Sequence, residues 1–422
     1  MRTPLVMGFV ATSMAFLFLG VLLRSWQVLV LSLPPLLFLA VGTIAAPPRP
    51  LLTAQRVVSR DRLQVGSELQ IDLTLRNDGP NLDLLEVVDL LPPEFRLESG
   101  TNQAVVPLAP GETFAFSCIV RPALKGEYSL GPVRARAIDP LGLGAEDATV
   151  PVTTRVLVAP PLEDMRHVRF APRRTRPWFG QIPSKRPGLG SEFWAVREYA
   201  SGDELRRINW KATARLDRPL TNEYVGERSG DVVIVLDARQ ESFVGTRLDN
   251  PVEHGVRAAL GIADHVLSAR NRAGLVVARN VLDRVLPAFG RKQLFRILEA
   301  LVRVGTGGQW PFSHVARIVS RYFPTDAHVV LISPLADFTA LQATIGLKAQ
   351  GYDVLVVSPS PLDIQRALVP KSDAQNLAYR ILREERANLL LQLRRVSEVV
   401  DWDPRTPLAL PFRRLGRSIR AP

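Results

Sequence analysis

The sequence predicts a multidomain chain: an N-terminal transmembrane helical hairpin, then a β-sandwich, then an α/β doubly wound domain. Three observations carry this. Two apolar runs of membrane-crossing length fall within the first 46 residues. From Leu51 to about Pro160, short alternating runs are separated by proline and glycine, the pattern of antiparallel strands with one buried face. From Ser229 onward, continuous β-branched runs alternate with helical apolar spacing, as parallel strands covered on both faces require. The domains read as 1–48, 49–160, 161–228 and 229–422.

The apolar runs are Thr3–Leu23 and Val28–Ala46, separated by Arg24-Ser25-Trp26-Gln27. So short a connection predicts a tight two-pass hairpin in the lipid bilayer, with Pro34-Pro35 kinking the second helix. A cleaved signal peptide is the rival reading. Arg2 precedes the first run and Arg49, Arg56, Arg60 and Arg62 follow the second. The positive-inside rule then predicts a multi-pass cell-membrane protein with both termini cytoplasmic.

A formal charge of +12 over 422 residues invites a nucleic-acid reading, but much of the excess flanks the apolar runs or sits in one linker. The chain has no zinc-finger spacing, RNP motif or basic heptad region, so no nucleic acid is expected as a partner. Cys118 is the single cysteine, which excludes an intrachain disulfide and a cysteine-based metal site. Its place in the alternating run Thr113–Val120 predicts a buried structural thiol.

Strands are predicted over Ser67–Arg76 and near 83–90, 113–121, 127–138 and 150–158. Short strands at this pitch suggest an immunoglobulin-like sandwich, read as a spacer. Met165–Pro187 is a basic, proline-rich linker without an acidic residue, in which Trp178-Phe179 is a possible docking point. Beyond it, strands are expected at Asp231–Leu236, Ala273–Ala278, Val281–Leu286, Ala327–Ile332, Tyr352–Val357 and Glu398–Trp402, with helices between them.

The densest polar segment runs from Gly188 to Arg215. Ser201-Gly202-Asp203-Glu204 reads as a capping box starting a helix near Gly202, with Leu205, Ile208, Ala212 and Leu216 as one apolar stripe. Phe193–Tyr199 reads as an extended arm. The string F-x-x-V-R-E-Y-x-x-G-D-x-x-R-x-I-N-W-K-A-T-A-R resembles the signature of the bacterial and archaeal domain of unknown function 58 family. That resemblance implies a von Willebrand factor A-like α/β domain and a partnership with a MoxR-type AAA+ ATPase, but no established reaction. The signature residues are then Phe193, Arg197, Glu198, Tyr199, Gly202, Asp203, Arg206, Asn209, Trp210, Lys211 and Arg215, forming a partner contact or a structural brace. Trp210 beside Lys211 presents either a cation–π face or a wedge between the two domains.

Similarity to von Willebrand A domains also implies a Mg²⁺ site at the carboxyl end of the first strand, built from aspartate and hydroxyl oxygens. Asp237, Thr306 and Asp337 are its candidate ligands, but Arg239 and Glu241 stand where serines would be. The expectation is that Asp237 pairs with Arg239 or caps the following segment, and that no cofactor is held. For catalysis there is no nucleophile elbow, phosphate-binding loop or zinc-protease motif. Glu198 and Asp203 are the available paired carboxylates, and nearby Arg197, Arg206 and Arg207 predict ion pairs that make them poor general acids. The resulting reading is a membrane-anchored interaction scaffold, not an enzyme. A Mg-dependent adhesion-like binder and a hydrolase using Glu198 and Asp203 are the alternatives.

Overall fold

A computed structural model describes residues 4–44, 47–139, 144–165, 168, 176–279, 282–308, 311–368 and 372–418. The chain divides into two compact units, Met1–Pro160 and Pro161–Pro422.

In the first unit, Pro4–Leu22 is a 19-residue apolar helix, the one described helix long and apolar enough to cross a membrane. The second apolar run is broken, not merely kinked. It forms Trp26–Val30 and Leu33–Ile44 with a turn between them. Pro34 and Pro35 have no N–H to give to a preceding turn, but they suit the first turn of a new helix, whose N–H groups have no helical partner. Ser32 secures the break by donating both its N–H and its hydroxyl to the Leu29 carbonyl, at 3.1 and 2.7 Å. The sequence predicted two continuous spans; the second run instead yields a 12-residue helix, short of the roughly 20 residues a crossing needs. Phe9 and Phe38 pack these helices together, ring centroids 4.8 Å apart.

The β region holds two four-stranded sheets. One runs Leu52–Val58, Leu69–Asn77, Thr113–Pro122, Phe95–Gly100, and the other Ala145–Val150, Val133–Ile138, Leu82–Asp89, Gln103–Leu108. A three-stranded sheet joins Arg62–Gln64, Thr154–Ala159 and Gly126–Leu130. Alternation works as expected in Leu69–Asn77, where Leu69, Ile71, Leu73 and Leu75 are buried and the residues between them face outward. The run read as one strand over 127–138 is two strands in different sheets. The chain turns between them at Gly131, whose φ is +93° and where a Cβ would lie 2.2 Å from the Val152 carbonyl oxygen. The strands at 95–100 and 103–108 were not predicted, because in the first only Phe95 is buried. Cys118 is 3% exposed, and burial pushes its thiol up to about 11, in keeping with a structural role.

Arg56 was read as a charge flanking the membrane runs. It is instead a buried cation that ties sandwich strands together. Its guanidinium pairs with buried Asp89 and donates to the carbonyls of Leu130 and Val152, both at 2.9 Å.

In the second unit a six-stranded sheet is built from β1 (Asp231–Asp237), β2 (Arg272–Ala278), β3 (Leu282–Ala288), β4 (His328–Ile332), β5 (Asp353–Pro359) and β6 (Glu398–Trp402). The order is β3-β2-β1-β4-β5-β6. All neighbours are parallel except β3, which lies antiparallel to β2. β3 follows β2 too closely for the crossover that a parallel partner needs. Along β1, Val232, Ile234 and Leu236 face a layer containing helices Pro251–Ser268 and Gly290–Val302. Val233 and Val235 face helices Val315–Tyr322, Thr339–Ala349 and Asp373–Val396. Burial on both faces explains the unbroken apolar runs of the sequence. His328 at the start of β4 meets Asp353 through Nδ1 at 2.9 Å.

Met165 and Val168 are part of the first core layer, so the segment expected to begin a linker begins inside the domain. Further on, Arg176–Glu198 forms a strand antiparallel to Leu220–Ser229, with several register shifts. The side chains of Trp178 and Phe179 lie outside the described residues.

Arg56→Ala should destabilise the sandwich by about 3–5 kcal/mol, because it strands the Asp89 carboxylate in the core. The double change Arg56→Met with Asp89→Leu should recover most of the loss in chemical denaturation.

Candidate functional site

Two places gather the candidate residues: the signature segment and the carboxyl edge of the six-stranded sheet.

In the signature, the expected helix from Gly202 is absent. Gly202 sits in a turn with φ +108°, Leu205–Arg207 is a single 3-10 turn, and the α-helix starts only at Trp210 and ends at Leu216. Two facts explain this. The Asp203 carboxylate is engaged by the Ala200 N–H at 2.9 Å and by Arg197, which closes a turn over 200–203. The helix cap is Asn209, whose side chain accepts from the Ala212 N–H at 3.0 Å. The predicted apolar stripe therefore splits, and Leu205 and Leu216 are 69% and 54% exposed.

Arg197 is the hub. Nη1 and Nη2 each donate to Asp203 at 2.7 Å, and Nε donates to Glu223 at 2.8 Å. The clamp fastens the turn to the strand Leu220–Ser229. Asn209 adds a second fastening, donating from Nδ2 to Asn222 at 2.9 Å. Glu198 pairs with Arg218, while Arg206 and Arg207 both reach Glu204. Both carboxylates considered for acid–base work are held in ion pairs, Asp203 by the expected Arg197 but Glu198 by Arg218, which was not among the arginines expected. Hydrogen bonds from Arg197 and the Ala200 N–H lower the Asp203 carboxyl to about 2, far from a useful proton donor at neutral pH. Glu223 and Asn222, which complete both fastenings, were missed. They lie outside the segment, and only the strand pairing brings them in.

What the clamp leaves outside is apolar and basic. Trp210 is 68% exposed, and Phe193 and Trp194 are 58% and 45% exposed. Lys211 and Arg215 are exposed on the same short helix, and Tyr199 is half-buried.

At the sheet edge, the loops after β1 and β4 meet where the strand order reverses, the usual ligand position of an open α/β sheet. Asp237 is 1% exposed. It accepts from Arg239 Nε at 2.9 Å, Arg239 Nη2 at 3.0 Å and the Ser333 hydroxyl at 2.8 Å. Arg239 also reaches Asp337, with Nη1 donating to Oδ2 at 3.0 Å, and its guanidinium lies 4.8 Å from the centre of the Phe312 ring. Thr339 donates its hydroxyl to Asp337 at 2.6 Å. Burial raises the Asp337 carboxyl, but the hydrogen bonds from Arg239 and Thr339 outweigh it and leave it below its ordinary value. Leu335, at φ +59°, bends the chain between Ser333 and Asp337, strain of the kind concentrated at functional loops.

Thr306 lies in the adjoining loop, where the Gly307 N–H donates to the Ala238 carbonyl at 3.1 Å; its hydroxyl has no hydrogen bond among the described residues. Asp237, Thr306 and Asp337 are therefore gathered at one edge, but these residues do not fit a divalent cation. The guanidinium lies against both carboxylates, where the ion would need bare oxygens. Among the described residues no cluster of three or more histidine, cysteine, aspartate or glutamate side chains could hold a metal.

A family model described as "Protein of unknown function DUF58" matches residues 195–364. That range takes in most of the signature and β1 to β5. The chain is 29% identical to an uncharacterized protein of Mycobacterium tuberculosis over 116 residues, which is 27% of this chain and 37% of the relative. It is 25% identical to the uncharacterized protein YeaD of Bacillus subtilis over 219 residues, 50% of this chain and 54% of the relative. The matched stretches thus span between about a third and a half of these relatives. Among solved structures, a CARDB domain from Pyrococcus furiosus is similar at 16% identity and a TM-score of 0.18, covering 26% of this chain and 94% of that one. A cohesin from Archaeoglobus fulgidus is similar at 15% identity and a TM-score of 0.18, covering 25% and 91%.

A carboxyl depressed below the unfolded value of about 3.9 contributes stability above that pH and loses it as pH falls toward the folded value. Asp203 should therefore titrate near 2 in carbon-detected NMR, and its contribution should vanish between about pH 4 and 2. Arg197→Ala should return its titration toward about 4.

Proposed function

We propose that this chain is a membrane-anchored interaction protein whose C-terminal von Willebrand factor A-like domain recruits protein partners at the cytoplasmic face. The strand order with one antiparallel edge strand supports that domain type, and the N-terminal apolar helices support the anchor.

The observation that carries the reading is the division of labour in the signature. Arg197, Asp203, Glu223, Asn209 and Asn222 are consumed in holding the loop. Trp210, 68% exposed, is presented on it beside Lys211 and Arg215. Exposed tryptophan with basic neighbours is the composition of interface hot spots, and it suits a partner with an acidic, partly apolar face. An AAA+ ATPase of the MoxR type is the proposed partner, in an assembly or maturation complex. Turnover is not part of the reading, since the candidate carboxylates are neutralised by arginines.

The test is capture of the MoxR-type ATPase of the same genome by the full chain. Trp210→Ala combined with Lys211→Glu should weaken capture by about tenfold or more with folding intact. Unchanged capture would make the signature a structural brace alone.

A further inference from the structure

Beside the Arg239 cluster, a cleft of about 740 Å³ opens between the loops after β1, β4 and β5 and the helix Asp373–Val396. Two guanidiniums stand at it, Arg239 beside the cleft and Arg386 in its lining, and both are engaged, with Arg386 Nε buried and left without a hydrogen bond among the described residues. Arg239 is held by Asp237 and Asp337. Arg386 donates to the Pro334 carbonyl at 2.8 Å, the Ser358 hydroxyl at 2.9 Å and Asp401 at 2.7 Å.

Two of the lining carboxylates are not spent. Glu241 and Glu385 are exposed, and neither makes an ion pair or a side-chain hydrogen bond among the described residues. The lining also carries exposed apolar side chains: Phe338 is 66% and Leu382 43% exposed. The patch continues along the helix. Of its 24 residues only Leu389, Leu390 and Leu393 are buried, all in the final third. Leu377 and Ile381, one turn apart, are 57% and 52% exposed.

We infer that this cleft receives an apolar segment of a partner protein carrying a lysine or arginine, which Glu241 and Glu385 hold. The charge sets the choice. An acidic group entering here would face two unpaired carboxylates, while the guanidinium beside the cleft has its Nε, Nη1 and Nη2 already donating to aspartates and that of Arg386 donates from Nη1 and Nη2 and keeps its Nε buried. A cationic group meets the two free carboxylates instead, while the apolar part of the lining buries the rest of the segment. This surface is separate from the signature, and the inference does not depend on the role assigned there.

Panning a library of random dodecapeptides against the full chain tests it. The selected peptides should carry a lysine or arginine among apolar residues and bind equally with Mg²⁺ or EDTA. Glu241→Gln with Glu385→Gln should weaken them roughly tenfold or more. Leu382→Asp should abolish binding, and Trp210→Ala should leave it unchanged. Peptides rich in aspartate or glutamate, dependence on Mg²⁺, or a library yielding nothing sensitive to the glutamine pair would each overturn the inference. So would self-association of the chain that the glutamine pair disrupts, since it would place a second copy in the cleft.

Discussion

Arg239 donates to Asp237 and Asp337 at once while its guanidinium lies over the Phe312 ring, and the chemistry of the whole sheet edge follows from that arrangement. Asp237 is almost fully buried, so it needs a counter-charge that cannot drift away. A guanidinium supplied two residues later meets the need permanently, with planar donors that fit two carboxylates at once. The loop after β1 and the loop after β4 are thereby tied across the point where the strand order reverses. A site that could have held an exchangeable ion becomes a fixed brace, and the surfaces left for recognition lie around it.

The same device recurs twice more. Arg56 is buried against Asp89 and two carbonyls in the sandwich, and Arg197 joins Asp203 to Glu223 in the signature. Each arginine fastens segments that are apart in sequence. In the signature, rigidity and presentation are linked: the clamp fixes a turn that intrinsic helix signals would have wound differently, and the short helix that follows displays Trp210 to solvent.

Much of the fold was legible because burial leaves periodic traces. β1 is apolar throughout since both its faces are covered, and Leu69–Asn77 alternates since only one is. The failures were local competitions. The capping box at Ser201–Glu204 lost to Asp203, whose carboxylate was taken by Arg197 and the Ala200 N–H. The second apolar run read as continuous because apolarity says nothing of hydrogen bonding, and Pro34-Pro35 broke it. The strand at 95–100 left no trace, being exposed after Phe95. At the sheet edge, the sequence offered the pairing of Asp237 with Arg239 as one of two roles for that aspartate. The extension of the pairing to Asp337, 98 residues beyond Arg239, could not be read there, nor could the cleft alongside.

Calorimetric titration of the full chain with Mn²⁺ addresses the central claim most directly. The native chain should show no binding at Asp237 at millimolar metal, and Arg239→Ser, which frees both aspartates and adds a hydroxyl, should gain a binding site. Binding by the native chain that disappears in Asp237→Asn would show the guanidinium to be displaceable, and would contradict the account.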